Sequence, residues 1–144
     1  MTNDEMIELV RKSAADLSEA TLGLGDKATW SVMDKGRSAA DQVAECALIS
    51  GFAAGILTEK TCPPLDGFST AKAALAAAPE LALEKLAENT ETLAGAIGGL
   101  TSDDHTASVA MPWGNEMTLP EVAMLVHWNN SYHLGQVNFI STLV

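Results

Sequence analysis

The chain has 144 residues, 47% hydrophobic but only 5% aromatic, a size that fits one domain whose core needs neither disulfides nor a structural metal. Eight Lys and Arg against nineteen Asp and Glu give a formal net charge of -11; with no basic cluster, this excludes the phosphate-neutralising surface of a nucleic-acid binder and disfavours anionic membranes. Cys46 and Cys62 lack Cys-x-x-Cys spacing and read as reduced thiols, Cys46 as a buried small hydrophobe.

Apolar residues recur at helical spacing and no β pattern of useful length stands out. The first helix is expected over residues 3–21, with Met6, Leu9, Val10, Leu17 and Ala20 on one face and Gly23 and Gly25 ending it. Ser13, Ala14 and Ala20 are small enough to let that helix approach a neighbouring chain. A connector through Trp30 and Gly36 leads to Ser38, which can cap a second helix with Asp41 three residues on. There Leu48, Ile49, Phe52 and Ile56 should face the core, Gly51 and Gly55 should permit close helix approach, and Pro63-Pro64 must end the element. Its longest apolar run, residues 47–57, is interrupted by Ser50 and is short for a bilayer span. The third helix reads as two pieces, residues 69–78 and then a run opened by Pro79 with Leu83, Leu86, Thr90, Leu93, Ile97 and Leu100 on one stripe. Residues 101–117 read as a loop, and Thr118-Leu119-Pro120-Glu121 as a capping box opening a fourth helix that runs nearly to the last residue. Four long amphipathic helices predict an all-α, four-helix bundle, a single domain over residues 1–144.

The last helix carries the chemistry. Asn129, His133 and Gln136 fall on the same 3-4 ladder as Val122, Val126, Ile140 and Leu143, so polar groups interrupt an apolar stripe and require partners. Glu45 precedes Leu48 and Ile49 by three and four residues, on the inward face of helix two. Helix two should therefore pack against helix four with Glu45 facing His133. A carboxylate and an imidazole both ligate divalent metals, and Asn129 adds a carbonyl oxygen. A metal-free Glu45–His133 hydrogen bond is the alternative, and an opposite charge so close favours the imidazolium. Trp30, Tyr132 and Gln136 are the candidate pocket residues: a connector Trp can wall a small-molecule site, and Tyr132 brings a phenolic group beside His133. His127 lies roughly 200° around the helix from Asn129 and reads as exposed. His105, beside Asp103 and Asp104, reads as part of a charged turn. There is no Gly-x-Ser-x-Gly elbow and no P-loop.

Tyr132-His133-Leu134-Gly135-Gln136, together with Ser38-Ala39-Ala40-Asp41-Gln42-Val43-Ala44 ahead of Glu45, resembles the DinB-like family of bacterial four-helix-bundle proteins. In that family the last helix carries His-x-x-x-His followed by Gly-Gln, and the second helix contributes a further His. Here Asn129 stands at the first of these positions and Glu45 at the second-helix one, so the resemblance implies a degenerate metal triad of Glu45, Asn129 and His133. Characterised relatives are thiol-dependent isomerases and transferases that use a divalent metal, and they pair as homodimers. With two imidazoles replaced, the first expectation is a small-molecule-binding homodimer with no cofactor. The alternatives are a zinc- or nickel-dependent thiol transferase, isomerase or hydrolase acting with a thiol ligand, and a stress-related dimeric scaffold. The N-terminal residues show neither the positive flank nor the apolar core of a secretion signal, so the expected compartment is the cytoplasm, with neither nucleic acid nor membrane as partner.

Overall fold

Three of the four long helices begin where a side chain satisfies their first unpaired amides. In the computed structural model, which describes residues 1–144, α1 (Asn3–Leu22) opens on a capping box. Thr2 Oγ1 accepts from the Glu5 amide at 3.1 Å and the Glu5 carboxylate accepts from the Thr2 amide at 2.7 Å. Ser38 Oγ accepts from the Asp41 amide at 3.1 Å at the start of α2 (Ala39–Glu59), which ends on a left-handed Lys60, φ 59°. Short α3 (Phe68–Ala76) precedes α4 (Pro79–Gly98), where Pro79 occupies the first turn. Thr118 and Glu121 form the box that opens α5 (Leu119–Ser141), with bonds of 3.3 and 2.7 Å.

The expected loop before α5 holds a small hairpin, β1 (Ser108–Ala110) against β2 (Glu116–Thr118), antiparallel with Val109 opposite Met117. Three-residue strands are too short to show an alternation in sequence. The hairpin nonetheless buries Val109 and Met111 over one end of the bundle.

The core forms two clusters. One joins Met6 and Val10 of α1, Ala53 and Ile56 of α2, Leu93 and Ile97 of α4, and Val122 and Val126 of α5. The other joins Ala14 and Leu17, Val43 and Ala47, Ala82 and Leu86, and Val137 and Ile140. The N-terminal halves of α1 and α5 thus meet the C-terminal halves of α2 and α4. So α1 and α5 run one way and α2 and α4 the other, and around the bundle the order is α1, α4, α2, α5. Because α2 and α4 are parallel neighbours, the chain must return along the bundle between them, which the connector and α3 do.

Between the two apolar clusters lies a buried polar layer: Ser13, Ser50, Thr90, Asn130 and His133. The Ser13, Ser50 and Thr90 hydroxyls donate to carbonyls of their own helices, those of Val10, Cys46 and Leu86, at 3.2, 2.8 and 2.7 Å. Asn130 Nδ2 donates to Ser13 Oγ at 3.3 Å, while its Oδ1, fully buried, has no partner.

Several sequence expectations change here. Ser13 and Ala14 are 3% and 5% exposed, and Ala20 is half-buried against the second cluster; these small residues serve the core and offer no face to another chain. Leu143, expected on the inward stripe, lies beyond the end of α5 and is 46% exposed. Leu48, Ile49 and Phe52 are half-buried, and alanines with Val43, Cys46 and Ile56 fill the inside of α2. Of the two glycines, Gly51 alone marks a close approach: an added Cβ would meet Asn89 Nδ2 at 2.8 Å, and that amide donates to Ala47 O at 2.8 Å. By length and composition α2 is apolar enough to cross a membrane, at a mean hydropathy of 1.3, yet 61% of that window is buried within the bundle. Packing against α4, α5 and α3 accounts for its apolarity.

Candidate functional site

The polar centre is built by α2 and α5 together. His133, 3% exposed, lies with Nδ1 2.8 Å from Gln42 Oε1 and 3.1 Å from Gln136 Oε1, while its Nε2 stands 3.3 Å from Glu45 Oε2. Arg37 precedes the Ser38 cap, and its side chain lies along the first two turns of α2, where Asp41 and Glu45 stack four and eight residues on. Its Nε donates to Asp41 Oδ2 and its Nη2 to Glu45 Oε2, both at 2.5 Å. Lys72 Nζ stands 3.8 Å from Asp41 Oδ1.

Burial pulls the His133 imidazole below its ordinary value near 6.5; the Glu45 carboxylate opposes this and the Arg37 guanidinium reinforces it. The expectation that Glu45 would favour the imidazolium is therefore corrected, because the loss of solvent around the ring outweighs the neighbouring carboxylate. A neutral ring has one N–H. Carried on Nε2 it faces Glu45 Oε2, and Nδ1 then accepts only where the Gln42 side-chain amide is turned to present its NH2 in place of the oxygen that stands 2.8 Å away.

A pH dependence follows. The unfolded ring protonates near 6.5 and the folded ring only below that, so across this interval the unfolded chain binds more protons and stability rises with pH. The contribution is complete above pH 6.5 and lost as pH falls through the lowered folded value. Urea unfolding between pH 7 and 5 should show this decline in the wild type and a flatter profile in His133→Gln. Equal slopes in the two proteins would contradict the assignment.

Beside this centre opens a cleft of about 440 Å3 whose walls include Arg37, Gln42, Tyr132, Gln136 and Phe139. Tyr132 stacks on Trp128, with centroids 5.7 Å apart, stands edge-on to His133 at 5.2 Å, and takes a hydrogen bond from Gln136 Nε2 at 3.0 Å. Trp30 is not among the lining residues; this part of the sequence expectation is corrected. The connector folds into two short 3-10 turns, Gly25–Thr29 and Val32–Asp34, which turn Trp30 against the second core cluster. Met33 and Asp34 both hold left-handed backbone, φ 53° and 56°, at roughly 1–2 kcal/mol each for residues other than glycine. That strained turn carries Gly36 and Arg37 to the cleft.

The third member of the expected triad hydrogen-bonds neither Glu45 nor His133. Asn129 is half-buried, and its Nδ2 points to Cys46 Sγ at 3.5 Å. The asparagine on the buried stripe is Asn130, fully enclosed and three residues before His133. The His-x-x-x-His spacing of the resemblance selected position 129, whereas the buried stripe of α5 passes through residues 126, 130, 133 and 137. Zinc or nickel needs three or four convergent donors. Here one carboxylate and one imidazole converge, no third His, Cys, Asp or Glu joins them, and the carboxylate already carries the Arg37 guanidinium. The residues present do not fit a divalent metal.

The other titratable groups have structural partners. Burial, with Glu45 adding to it, pushes the Cys46 thiol far above its usual range, so it is no nucleophile at neutral pH. His127 is half-buried rather than exposed, with Nδ1 3.2 Å from Leu9 O on α1. His105 Nε2 lies 2.8 Å from Asn3 Oδ1 and ties the turn to the start of α1. Sequence reasoning missed Arg37 and Gln42. The spacing of Arg37, Asp41 and Glu45 at intervals of four was a readable signal; that of Gln42 was masked by its place in the cap segment.

No family model matches the chain and no curated protein matches it. Its fold does have a solved counterpart. The crystal structure of a mycothiol-dependent maleylpyruvate isomerase superposes with a TM-score of 0.71 at 15% sequence identity, over 93% of this chain and 60% of that one. The chain therefore spans less than two thirds of that protein's length. What the two share is the architecture, an all-α helical bundle.

Proposed function

We propose that this chain is a small-molecule-binding protein that works without a metal, using the Glu45–His133 pair and its Arg37 and Gln42 partners as a hydrogen-bonding recognition centre. The observation that carries this reading is the donor set. At the place where the resemblance calls for three metal ligands, an acid, an imidazole and a guanidinium satisfy one another beside an open cleft. Protein purified without added metal, then incubated with zinc or nickel and passed through a mild chelator, should retain well under one equivalent by elemental analysis. A stoichiometric metal that survives the chelator and is lost in His133→Ala would overturn the reading. It would favour a thiol-dependent isomerase or transferase, the second reading, which rests on the structural likeness to the mycothiol-dependent isomerase. Binding itself is read from the imidazole nitrogen resonances of His133 during titration with small polar fragments; the expected result is a saturable shift.

The homodimer is a second part of the proposal. With the small residues of α1 inside the bundle, its physical support moves to α5. There Trp128, Tyr132 and Phe139 recur after four and seven residues and are 61%, 52% and 62% exposed, an aromatic stripe of the kind that pairs between copies. Sedimentation equilibrium at micromolar concentration should give twice the chain mass, and Phe139→Lys should shift it toward the monomer. A wild-type monomer throughout that range would end this part of the proposal.

A further inference from the structure

Glu45 borders a second cavity on its other side. Ile49, Phe52, Ala53 and Ile56 continue its face down α2, Val122 and Leu125 face them from α5, and the space between, about 130 Å3, is roofed by Leu65, Phe68, Met111 and Trp113. Ten of its eleven lining residues are hydrophobic; Glu45 is the exception. The carboxylate meets both Arg37 and His133 through Oε2. Its other oxygen, Oε1, meets neither and, unlike Asn130 Oδ1, is not sealed from water, so it is free to accept from a ligand. The roof differs from the walls: Ala53 and Val122 are 2% and 1% exposed, whereas Leu65 and Trp113 are 40% and 55% exposed. They sit in the α2–α3 connector and the hairpin turn, outside the helical bundle. The cavity thus lies between two helices under a roof whose exposed parts, Leu65 and Trp113, come from loops, with one carboxylate at its edge.

We propose that this cavity receives the apolar part of the ligand, and that the ligand is a compact molecule with one aromatic ring or branched alkyl group and one hydroxyl or amine N–H donor directed at Glu45 Oε1. This deepens the proposed function and rests on it, since Glu45 belongs to both. The size matches one ring: an apolar protein cavity of about 150 Å3 takes up benzene. The single acceptor sets the chemistry. A donor group satisfies Oε1, whereas a ligand carboxylate would face Glu45 across an apolar space and be rejected by like charge.

The test uses the intact protein with benzyl alcohol, toluene and benzoate as probes, read by Trp113 fluorescence and by calorimetry. Benzyl alcohol should bind saturably, at least about tenfold more tightly than benzoate, with toluene between them. Trp113→Phe should remove the fluorescence change without abolishing the heat of binding. Glu45→Gln, which removes the charge and keeps the shape, should bring benzyl alcohol and benzoate to within about threefold of each other. Ala53→Leu fills the cavity from a buried wall and should abolish binding of all three while the protein stays folded, which keeps the test decisive even if Glu45→Gln unfolds. Failure of all three probes to bind the wild type, equal affinity for benzyl alcohol and benzoate, or binding undiminished in Ala53→Leu would overturn the assignment. The two proposals fail separately: saturable His133 shifts with polar fragments, without a response to these probes, would leave the binding centre standing and remove only the apolar subsite.

Discussion

Glu45→Ala is expected to lower stability by about 1–3 kcal/mol, because it removes the carboxylate that stands 3.3 Å from the buried His133 Nε2 while Arg37 keeps only Asp41. Most of the effect should come from the ring, not the guanidinium. Arg37 is exposed and can return to water, whereas His133 is 3% exposed and cannot. Glu45→Gln should cost less, since a carboxamide of the same shape keeps an oxygen beside Nε2. It should also lower the imidazole's protonation midpoint further, because the carboxylate is what raises it against burial. Urea unfolding gives the first two quantities and imidazole NMR the third. A Glu45→Ala protein as stable as the wild type would mean that the pair contributes nothing to the bundle, and the recognition centre built on it would lose its physical basis.

The fold was legible because the helices declare themselves by period and by caps. Thr118 and Glu121, Ser38 and Asp41, and Pro79 mark starts that the structure reproduces. The facing of α2 and α5 was also readable, from one carboxylate and one imidazole on stripes that would otherwise be apolar. What failed was phase. Successive residues on a helix differ by about 100°, so a choice between Asn129 and Asn130 hangs on a fraction of a turn. The spacing of the resemblance selected Asn129, while packing buried Asn130. The dimer face failed for a related reason: Ser13, Ala14 and Ala20 are small, and small residues serve a close contact inside the bundle as well as one outside it. Trp30 was misplaced because a connector carries no period, and nothing in residues 23–37 indicates that two 3-10 turns fold it back over the core. The unpaired Oε1 of Glu45 depends on which oxygen Arg37 and His133 share, and no pattern of residue types encodes that.

Asn130 supplies the second large effect, and its sign depends on the replacement. The residue is fully buried in the polar layer, its Oδ1 unpartnered and its Nδ2 held only by the Ser13 hydroxyl at 3.3 Å. Asn130→Asp would place a carboxylate there with no cation paired to it, an uncompensated buried charge that should destabilise the protein by about 3–5 kcal/mol at neutral pH. The loss should shrink as pH falls and the introduced acid is neutralised, opposite to the trend set by His133. Asn130→Leu, close in volume, removes the unpartnered oxygen and joins the two apolar clusters, while Ser13 keeps its bond to Val10 O. It should raise stability by about 1–2 kcal/mol. The same substitution removes one of the polar groups that fix the relative height of α1 and α5, so a second conformer in the leucine variant's NMR spectrum would show that the layer specifies helix register. If Asn130→Leu instead destabilises the bundle by more than about 1 kcal/mol with a single conformer retained, the layer is a net source of stability, and Oδ1 must find a partner in solution.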